Sequence, residues 1–268
     1  MNGFLRDIAT YDFLRNALLA STLVGLSTAL ISPIVVYKRM EFVGDGTAHA
    51  AFAGLALGVI LGFEYRIAAV GTAVVFALTI SLLSGRRKIS ENSAIGMLLP
   101  VFMSIGIIVL SFSRRYTTDV MSYLFGDILL VEMGDLYFLT TLFVLLIILF
   151  YTFRYDILYF LSDEYMAAFY GLKTNLVRTC FLIAISVVVV GAVKVAGVIL
   201  VSAFIVIPGL VGKLFGKSFK QVLAVSLTHN LAISIAGLAA SYYLDLPPGP
   251  VMVILSFGIF MFFYAFKK

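Results

Sequence analysis

The sequence predicts an all-α membrane protein, a polytopic bundle of transmembrane helices in the cell membrane. Of its 268 residues, 62% are hydrophobic and only 12% are charged, whereas a soluble domain carries about 25% charged residues. Apolar runs of about 18 or more residues also follow one another along the chain, and each is long enough to cross about 30 Å of hydrocarbon. We therefore expect residues 1–268 to form a single transmembrane domain.

The apolar runs predict eight or nine spans. They lie near residues 14–37, 44–63, 66–84, 93–112, 135–153, 174–193, 195–212, 219–243 and 249–266. The count depends on residues 174–212, where Lys194 and Gly197 either separate two helices or mark one broken helix. Residues 118–131 are too short to span and are expected to form an interfacial or re-entrant piece.

The basic residues predict how these spans are oriented. The net charge is +5, and the bases are clustered between apolar runs. Most of them fall in four segments, 86–88, 154–178, 213–220 and 267–268. Because positive loops favour the cytoplasm, nine spans with an external amino terminus and an internal carboxyl terminus are expected. Arg114 and Arg115 depart from this pattern, and no basic stripe with interleaved aromatics indicates a nucleic-acid surface.

Two local features bound the chemistry of the chain. Cys180 is the single cysteine, so one chain forms no disulfide or cysteine-rich metal site, and we expect it to be a small buried hydrophobe. Residues 212–218 end like a phosphate-binding loop, but Val211 stands where that motif needs its first glycine. The chain is therefore not expected to bind nucleotide or act as an enzyme, and any ATP must be hydrolysed by a separate subunit.

Asp45 and His49 are the strongest indication of function in the sequence. They lie four residues apart at the start of an apolar run, and ionisable groups in hydrocarbon are costly enough to suggest a functional site. On a helix the two side chains are only about 40° apart. Imidazole and carboxylate together suit zinc, manganese or iron. The pair is half of a four-coordinate metal site, which a symmetric dimer would complete.

Glycines follow this pair on the other side of the predicted helix. Gly54, Gly58 and Gly62 lie about 180°, 220° and 260° from Asp45. Such a ladder of small residues lets a neighbouring helix approach closely, and this packing would turn Asp45 and His49 toward a central pathway.

Other interpretations of the polar residues stay open at this point. Asp45 follows Gly44 and could cap the helix, and His49 could be a buried histidine that bonds across helices. His229 lies deep in the span 219–243, beside Asn230. It is a weaker candidate for the metal pathway than for interhelical hydrogen bonding.

The loop from Arg154 to Lys173 is expected to carry a short cytoplasmic helix. The expected helix has Ser162 or Asp163 as its N-cap and Gly171 as its C-cap. Its candidate functional residues are Asp163, Glu164, Tyr170 and Gly171. The helix could dock to a soluble partner or lie on the lipid surface.

The motif Gly44-Asp45-x-x-Ala48-His49-Ala50, followed by Gly54 and Gly58, resembles the membrane permease subunits of zinc, manganese and iron ABC importers. Further matches are Ala94-Ile95-Gly96, Tyr123 to Leu129, the Gly171 loop, Gly197 to Ala203 with Ile207-Pro208, and Ser241 to Gly249. One departure is Gly209-Leu210-Val211-Gly212, where the family usually has alanines, and it bears on helix packing.

The resemblance implies a fold similar to that of the vitamin B12 and siderophore importers, with fewer helices. It implies a homodimer that pairs with cytosolic ATP-binding subunits and receives metal from an extracytoplasmic metal-binding protein. Asp45 and His49 would form the metal site, and residues Asp163 to Gly171 would couple to the ATPase. No permanently bound cofactor is implied, because the divalent metal is the transported substrate.

Two rival functions remain. An ion-coupled secondary transporter would use Asp45 and His49 as a proton or cation relay, but such proteins often show inverted repeats, and the sequence has no second Asp-x-x-x-His. A membrane-embedded hydrolase would need further converging groups, and the sequence shows no richer cluster.

Overall fold

The computed structural model describes residues 2–85, 89–112 and 126–267, and every secondary-structure element in those ranges is helical. The helices are α1 (Asn2–Thr10), α2 (Asp12–Lys38), α3 (Val43–Leu61), α4 (Tyr65–Gly85), α5 (Glu91–Ser111), α6 (Met133–Thr152), α7 (Arg154–Ser162), α8 (Glu164–Phe169), α9 (Thr174–Phe215), α10 (Phe219–Leu244) and α11 (Pro248–Phe266). A short 3₁₀ turn covers Ile128–Leu130. Eight of the helices, α2 to α6 and α9 to α11, are long and apolar enough to cross a membrane. The predicted all-α polytopic class is confirmed.

Helix α9 is interrupted within residues 174–212, where the sequence left open either two helices or one broken helix. It has 42 residues, about 63 Å of helix, which is twice the thickness of the hydrocarbon core. Gly197 interrupts it with φ 74° and ψ 161°, a conformation that favours glycine. Gly126 also has a positive φ, and a Cβ added there would lie 2.7 Å from the Gly197 Cα. Both positions therefore require glycine.

The chain divides into two compact units, the first of which includes Met1–Val36, Phe125–Leu146 and Gly191–Lys268. A buried amide joins three of its segments. Asn230 of α10 donates hydrogen bonds to the carbonyl oxygens of Gly25 and Phe204, each at 3.0 Å, and to the Thr28 Oγ1 at 3.2 Å. Interhelical hydrogen bonds of this kind stabilise membrane helix packing.

Glycines after Pro208 allow close packing within the same unit. The Gly209 N–H donates a 2.7 Å hydrogen bond to the Ser32 Oγ of α2, and a Cβ at Gly212 would lie 2.8 Å from the Val222 Cγ1 of α10. The departure from alanine in this motif is thus accounted for by close helix contacts.

An ion pair lies near the break in α9. The Lys194 Nζ is 2.6 Å from the Asp135 Oδ1, and the Asp135 side chain is only 5% exposed. The second oxygen of that carboxylate accepts from the Glu132 N–H at 3.2 Å. Pairing offsets the cost of placing these charges in apolar surroundings, and it fixes the start of α6 beside α9.

Aromatic contacts at the ends of this unit show which helix ends lie together. Phe4 of α1 packs on Tyr242 and Tyr243, with ring centroids 5.4 and 6.3 Å away, so the amino terminus lies at the end where α10 finishes. Phe215 packs on Phe263 at 4.9 Å, which places the other end of α11 beside residues 213–220. Several residues used in the sequence analysis lie outside the described residues. They are the basic residues at 86–88, Arg114, Arg115 and the motif residues Tyr123 to Phe125.

The second unit comprises Tyr37–Leu124 and Ile147–Val190, and its described part is organised around α3. A Cβ at Gly54 would lie 2.7 Å from the Ala69 Cα, and one at Gly58 would lie 3.2 Å from the Tyr65 Cα. The predicted close approach of a neighbouring helix is confirmed for these two glycines, and the neighbour is α4.

Two predictions about individual residues in this unit are wrong. Gly62 does not extend the glycine ladder, because it ends α3 as a left-handed C-cap with φ 70°, and a Cβ there would meet nothing within 4 Å. Cys180 is exposed on α9 rather than buried. In a membrane helix, both the face that packs on other helices and the face that contacts lipid are apolar. The sequence therefore does not show on which face Cys180 lies.

Candidate metal site and docking loop

Asp45 lies in the first turn of α3 but not at its cap. The N-cap residue is Phe42 and the helix begins at Val43, which makes Asp45 the third helical residue. A carboxylate in the first turn is stabilised by the positive end of the helix macrodipole. The interpretation of Asp45 as an N-cap is therefore not supported.

His49 follows one turn later with an unsatisfied ring nitrogen. Its Nδ1 is buried and has no hydrogen-bond partner in the described part of the chain. A buried polar atom without a partner costs about 1 to 3 kcal/mol, and nearly all such atoms in proteins are paired. This nitrogen makes no hydrogen bond to another helix in the described residues, so it does not support the interpretation of His49 as a histidine that bonds across helices. The nitrogen remains available to a ligand.

The two side chains form a strip of partial exposure on residues 43–56 of α3, which are otherwise buried. Within residues 43–56, Asp45 and His49 are partly exposed and every other residue is buried. On the far side of this turn, the Thr47 Oγ1 lies 3.2 Å from the Ser186 Oγ of α9. A Cβ at Gly46 would lie 2.7 Å from the Phe76 Cζ of α4. These contacts fix the rotation of α3 and leave the Asp45 and His49 strip as its open side.

The pair is not part of a larger cluster of ligands in one chain. Among the residues that the structure describes, no group of three or more His, Cys, Asp or Glu side chains is arranged to hold a metal ion. A carboxylate and an imidazole supply two ligands, whereas zinc prefers four and manganese more.

His229 has a partner of its own. It is 7% exposed, and its Nε2 lies 2.9 Å from the Ser256 Oγ of α11. The neighbouring Ser226 and Ser234 also bond across helices, to the carbonyl oxygens of Pro208 and Ser21. The structure thus agrees with interhelical hydrogen bonding, the role that the sequence had favoured for His229.

The predicted helix in the loop after α7 is present as α8. Asp163 precedes it and its Oδ1 accepts from the Met166 N–H at 3.1 Å, so the predicted Asp163 cap is confirmed. Gly171 has φ 88°, and its N–H donates to the Ala168 carbonyl at 3.0 Å, which confirms it as the turn that ends the helix. We name residues Asp163–Gly171 the docking loop, after the ATPase coupling that the family resemblance implies for them.

The docking loop has an apolar tip and a charged root. Phe169 and Tyr170 are 82% and 80% exposed and stack edge to face. Glu164 instead forms ion pairs with Lys38 and Arg178. The sequence did not indicate that Lys38 and Arg178 belong to this contact. The available signal was the position of Arg178 inside a predicted span, because a charge in such a place requires a polar partner.

Residues 10–267 match the ABC 3 transport family. A probable metal transport system membrane protein of Thermotoga maritima is 50% identical over 97% of this chain and 92% of its own length. The manganese transport system membrane protein MntC of Listeria monocytogenes is 28% identical over 98% of this chain and 94% of its own length.

Solved structures show the same fold. The structure of PsaBC from Streptococcus pneumoniae in complex with Fab matches 98% of this chain and 95% of its own chain, with a TM-score of 0.85 and 25% identity. A metal-chelate type ABC transporter in an inward-facing conformation matches 96% of this chain and 88% of its own, at a TM-score of 0.76 and 18% identity. The chain therefore belongs to the ABC 3 transport family and is a multi-pass membrane permease subunit of a metal ABC importer.

Proposed function

We propose that Asp45 and His49 form half of a transient binding site for a divalent transition metal in the permeation pathway. The observation that carries this proposal is the strip on α3, where a carboxylate and a histidine with an unpartnered buried nitrogen are the two partly exposed residues within the buried stretch 43–56. Neutral imidazole and carboxylate are ligands for zinc, manganese and iron alike. The Listeria relative is a manganese transport protein, which supports manganese as the first metal to test.

Two copies of the chain complete the site in this proposal. Each chain contributes one carboxylate and one imidazole, and a two-fold axis along the pathway would bring two such pairs together. The whole of residues 1–268 then acts as one permease domain in a homodimer, with the metal as substrate and no resident cofactor.

Energy and delivery come from other subunits. A cytosolic ATP-binding subunit docks on the loop Asp163–Gly171, whose exposed Phe169 and Tyr170 are suited to an apolar groove. An extracytoplasmic metal-binding protein delivers the ion at the opposite side of the membrane. The chain itself contributes no catalysis.

The site must hold the metal weakly in one of its states. A permease that bound its cargo tightly throughout the cycle would trap it, so conduction requires binding that can be released. Closure of the ATPase subunits would shift the dimer between a state with the two Asp45 and His49 pairs together and a state with them apart.

The test replaces either ligand in the transporter assembled with its ATPase. Asp45→Ala and His49→Ala should abolish uptake of manganese, zinc and iron, while the permease still co-purifies with the ATP-binding subunit. His229→Gln is the matched control, because it removes a histidine that already has a protein partner, and it should retain uptake. Full uptake by both alanine variants would remove the site assignment, and competition among the three metals in the unaltered transporter identifies the preferred one.

A further inference from the structure

Four charged side chains of the second unit meet beside the docking loop, two bases and two acids. They are Lys38 at the end of α2, Glu91 at the start of α5, Glu164 in α8 and Arg178 near the start of α9. We name them the four-charge cluster. Its side chains are only 11% to 27% exposed, so the charges are largely removed from water and depend on one another.

Arg178 lies at the centre of this cluster. Its Nε is 3.3 Å from the Glu91 Oε1, its Nη2 forms an ion pair with the Glu164 Oε1, and its Nη1 donates to the Asn175 Oδ1 at 3.4 Å. The planar guanidinium presents several donors in fixed directions, which a lysine does not. One side chain therefore holds the docking helix and the start of α5 together.

Lys38 adds a second connection to the docking helix. Its Nζ lies 3.4 Å from the Glu164 Oε2 and 3.6 Å from the centroid of the Phe160 ring. Desolvated cations bind aromatic faces favourably. Glu164 is thus held from two sides, by the last residue of α2 and by the first turns of α9.

The cluster also reaches the helix that carries the candidate metal pair. Asn92, next to Glu91, donates to the Glu41 Oε2 at 3.4 Å, and Glu41 lies in the link between α2 and α3, two residues before α3 begins. Polar contacts therefore connect α8 with the link between α2 and α3 at two points. One is Lys38 at the start of the link, and the other is Glu41 near its end. Such networks transmit coupling when they join elements that move as units.

We propose that Arg178 is a positioning residue for transport, which fastens the docking helix α8 to α5 and α9 so that its movement with the ATPase subunit reaches α3. This inference rests on the proposed function, since it assigns a route between the docking loop and the metal pair. The role assigned to Arg178 requires no contact with the metal or the ATPase. Without Arg178, the pair of Glu164 with Lys38 would be the only ion pair of the described residues that ties α8 to the transmembrane helices, and less of its movement would reach α3.

The experiment measures metal ions transported per ATP hydrolysed by the assembled transporter in lipid vesicles. Arg178→Gln should lower this ratio by about tenfold, within the range measured for coupling networks, while co-purification with the ATPase subunit and the basal rate of hydrolysis stay within about twofold. Arg178→Lys should recover part of the ratio, because an ammonium retains one ion pair of the two. Lys173→Gln, which removes an exposed charge near the same loop, is the matched control and should leave the ratio unchanged.

Glu164→Gln provides a second variant in case Arg178→Gln does not fold. It breaks both links to the docking helix but leaves Arg178 paired with Glu91, and it should also lower the ratio with assembly retained. The proposal is overturned by an unchanged ratio in the folded variants, or by a loss of transport in proportion to a loss of co-purification. Failure of the metal site is a separate result, because Arg178→Gln should keep the metal-dependent shift in thermal unfolding that Asp45→Ala and His49→Ala would lose.

Discussion

His49 and His229 are the two histidines of the chain, both lie in candidate membrane helices, and their surroundings differ in one decisive respect. The His229 ring bonds the Ser256 Oγ at 2.9 Å, and its neighbours in α10 bond other helices. The His49 Nδ1 is buried without a hydrogen-bond partner in the described part of the chain, one turn from a carboxylate. A histidine in a membrane span thus indicates some polar interaction. Whether its ring nitrogen already has a protein partner is what distinguishes a role in helix packing from a candidate role in ligand binding.

The largest effect that this comparison predicts is on metal affinity. His49→Gln should weaken manganese binding at least about 100-fold, since even groups that only orient metal ligands are worth 10- to 100-fold, whereas His229→Gln should change it less than about twofold. Titration of each purified complex with manganese measures the difference. Equal losses in the two variants would show that the missing partner of His49 has no functional meaning.

A second prediction concerns the packing that sets the rotation of α3. Gly54→Ala should destabilise the protein by about 2 kcal/mol, because the new methyl group would meet the backbone of α4, and it should also reduce metal binding by displacing His49. Gly62→Ala is the matched control, with open space around the Cβ and only the cost of its left-handed backbone, about 1 kcal/mol. Chemical denaturation in detergent gives both values. If Gly54→Ala is as mild as Gly62→Ala, α3 does not depend on α4 for its orientation.

A third prediction separates the charge of Asp45 from its shape. Asp45→Asn keeps an oxygen ligand but removes the negative charge, so manganese affinity should fall by about tenfold, less than the loss for His49→Gln. Uptake measured over a range of metal concentrations should show a raised half-saturation concentration. An unchanged value would leave His49 as the only ligand that this chain offers.

The smallest effect is expected at the partnered histidine. Ser256→Ala removes the hydrogen bond of His229, and interhelical bonds of this kind in membrane proteins contribute about 0.6 kcal/mol. The free energy of unfolding should fall by about that amount, with uptake unchanged. A clear loss of uptake in this variant would bring His229 back into the metal pathway.

The sequence predicted what depends on local pattern. Asp45 and His49 were identified because a spacing of four residues places two side chains on one helix face, and the spans were located because each is continuous and apolar. Asp163 and Gly171 were recognised as caps for the same reason, since capping involves neighbours in the chain.

What the sequence did not predict depends on contacts between distant segments. The pairing of Arg178 with Glu91 joins residues far apart in the chain, and no periodicity encodes it. Helix α1 was missed because nine residues are too few for a recognisable span. The exposure of Cys180 was misjudged because α9 is apolar on all sides, so its lipid face carries no signature.

The break at Gly197 has a consequence for the parity of the membrane topology. If the kink at Gly197 separates two crossings of about 20 residues each, the helix of 42 residues supplies both of them, and the eight candidate helices of the described residues give an odd number of passages. An odd number puts the two ends of the polypeptide in different compartments. A reporter at the amino terminus and one at the carboxyl terminus should then never be labelled from the same side of an intact cell.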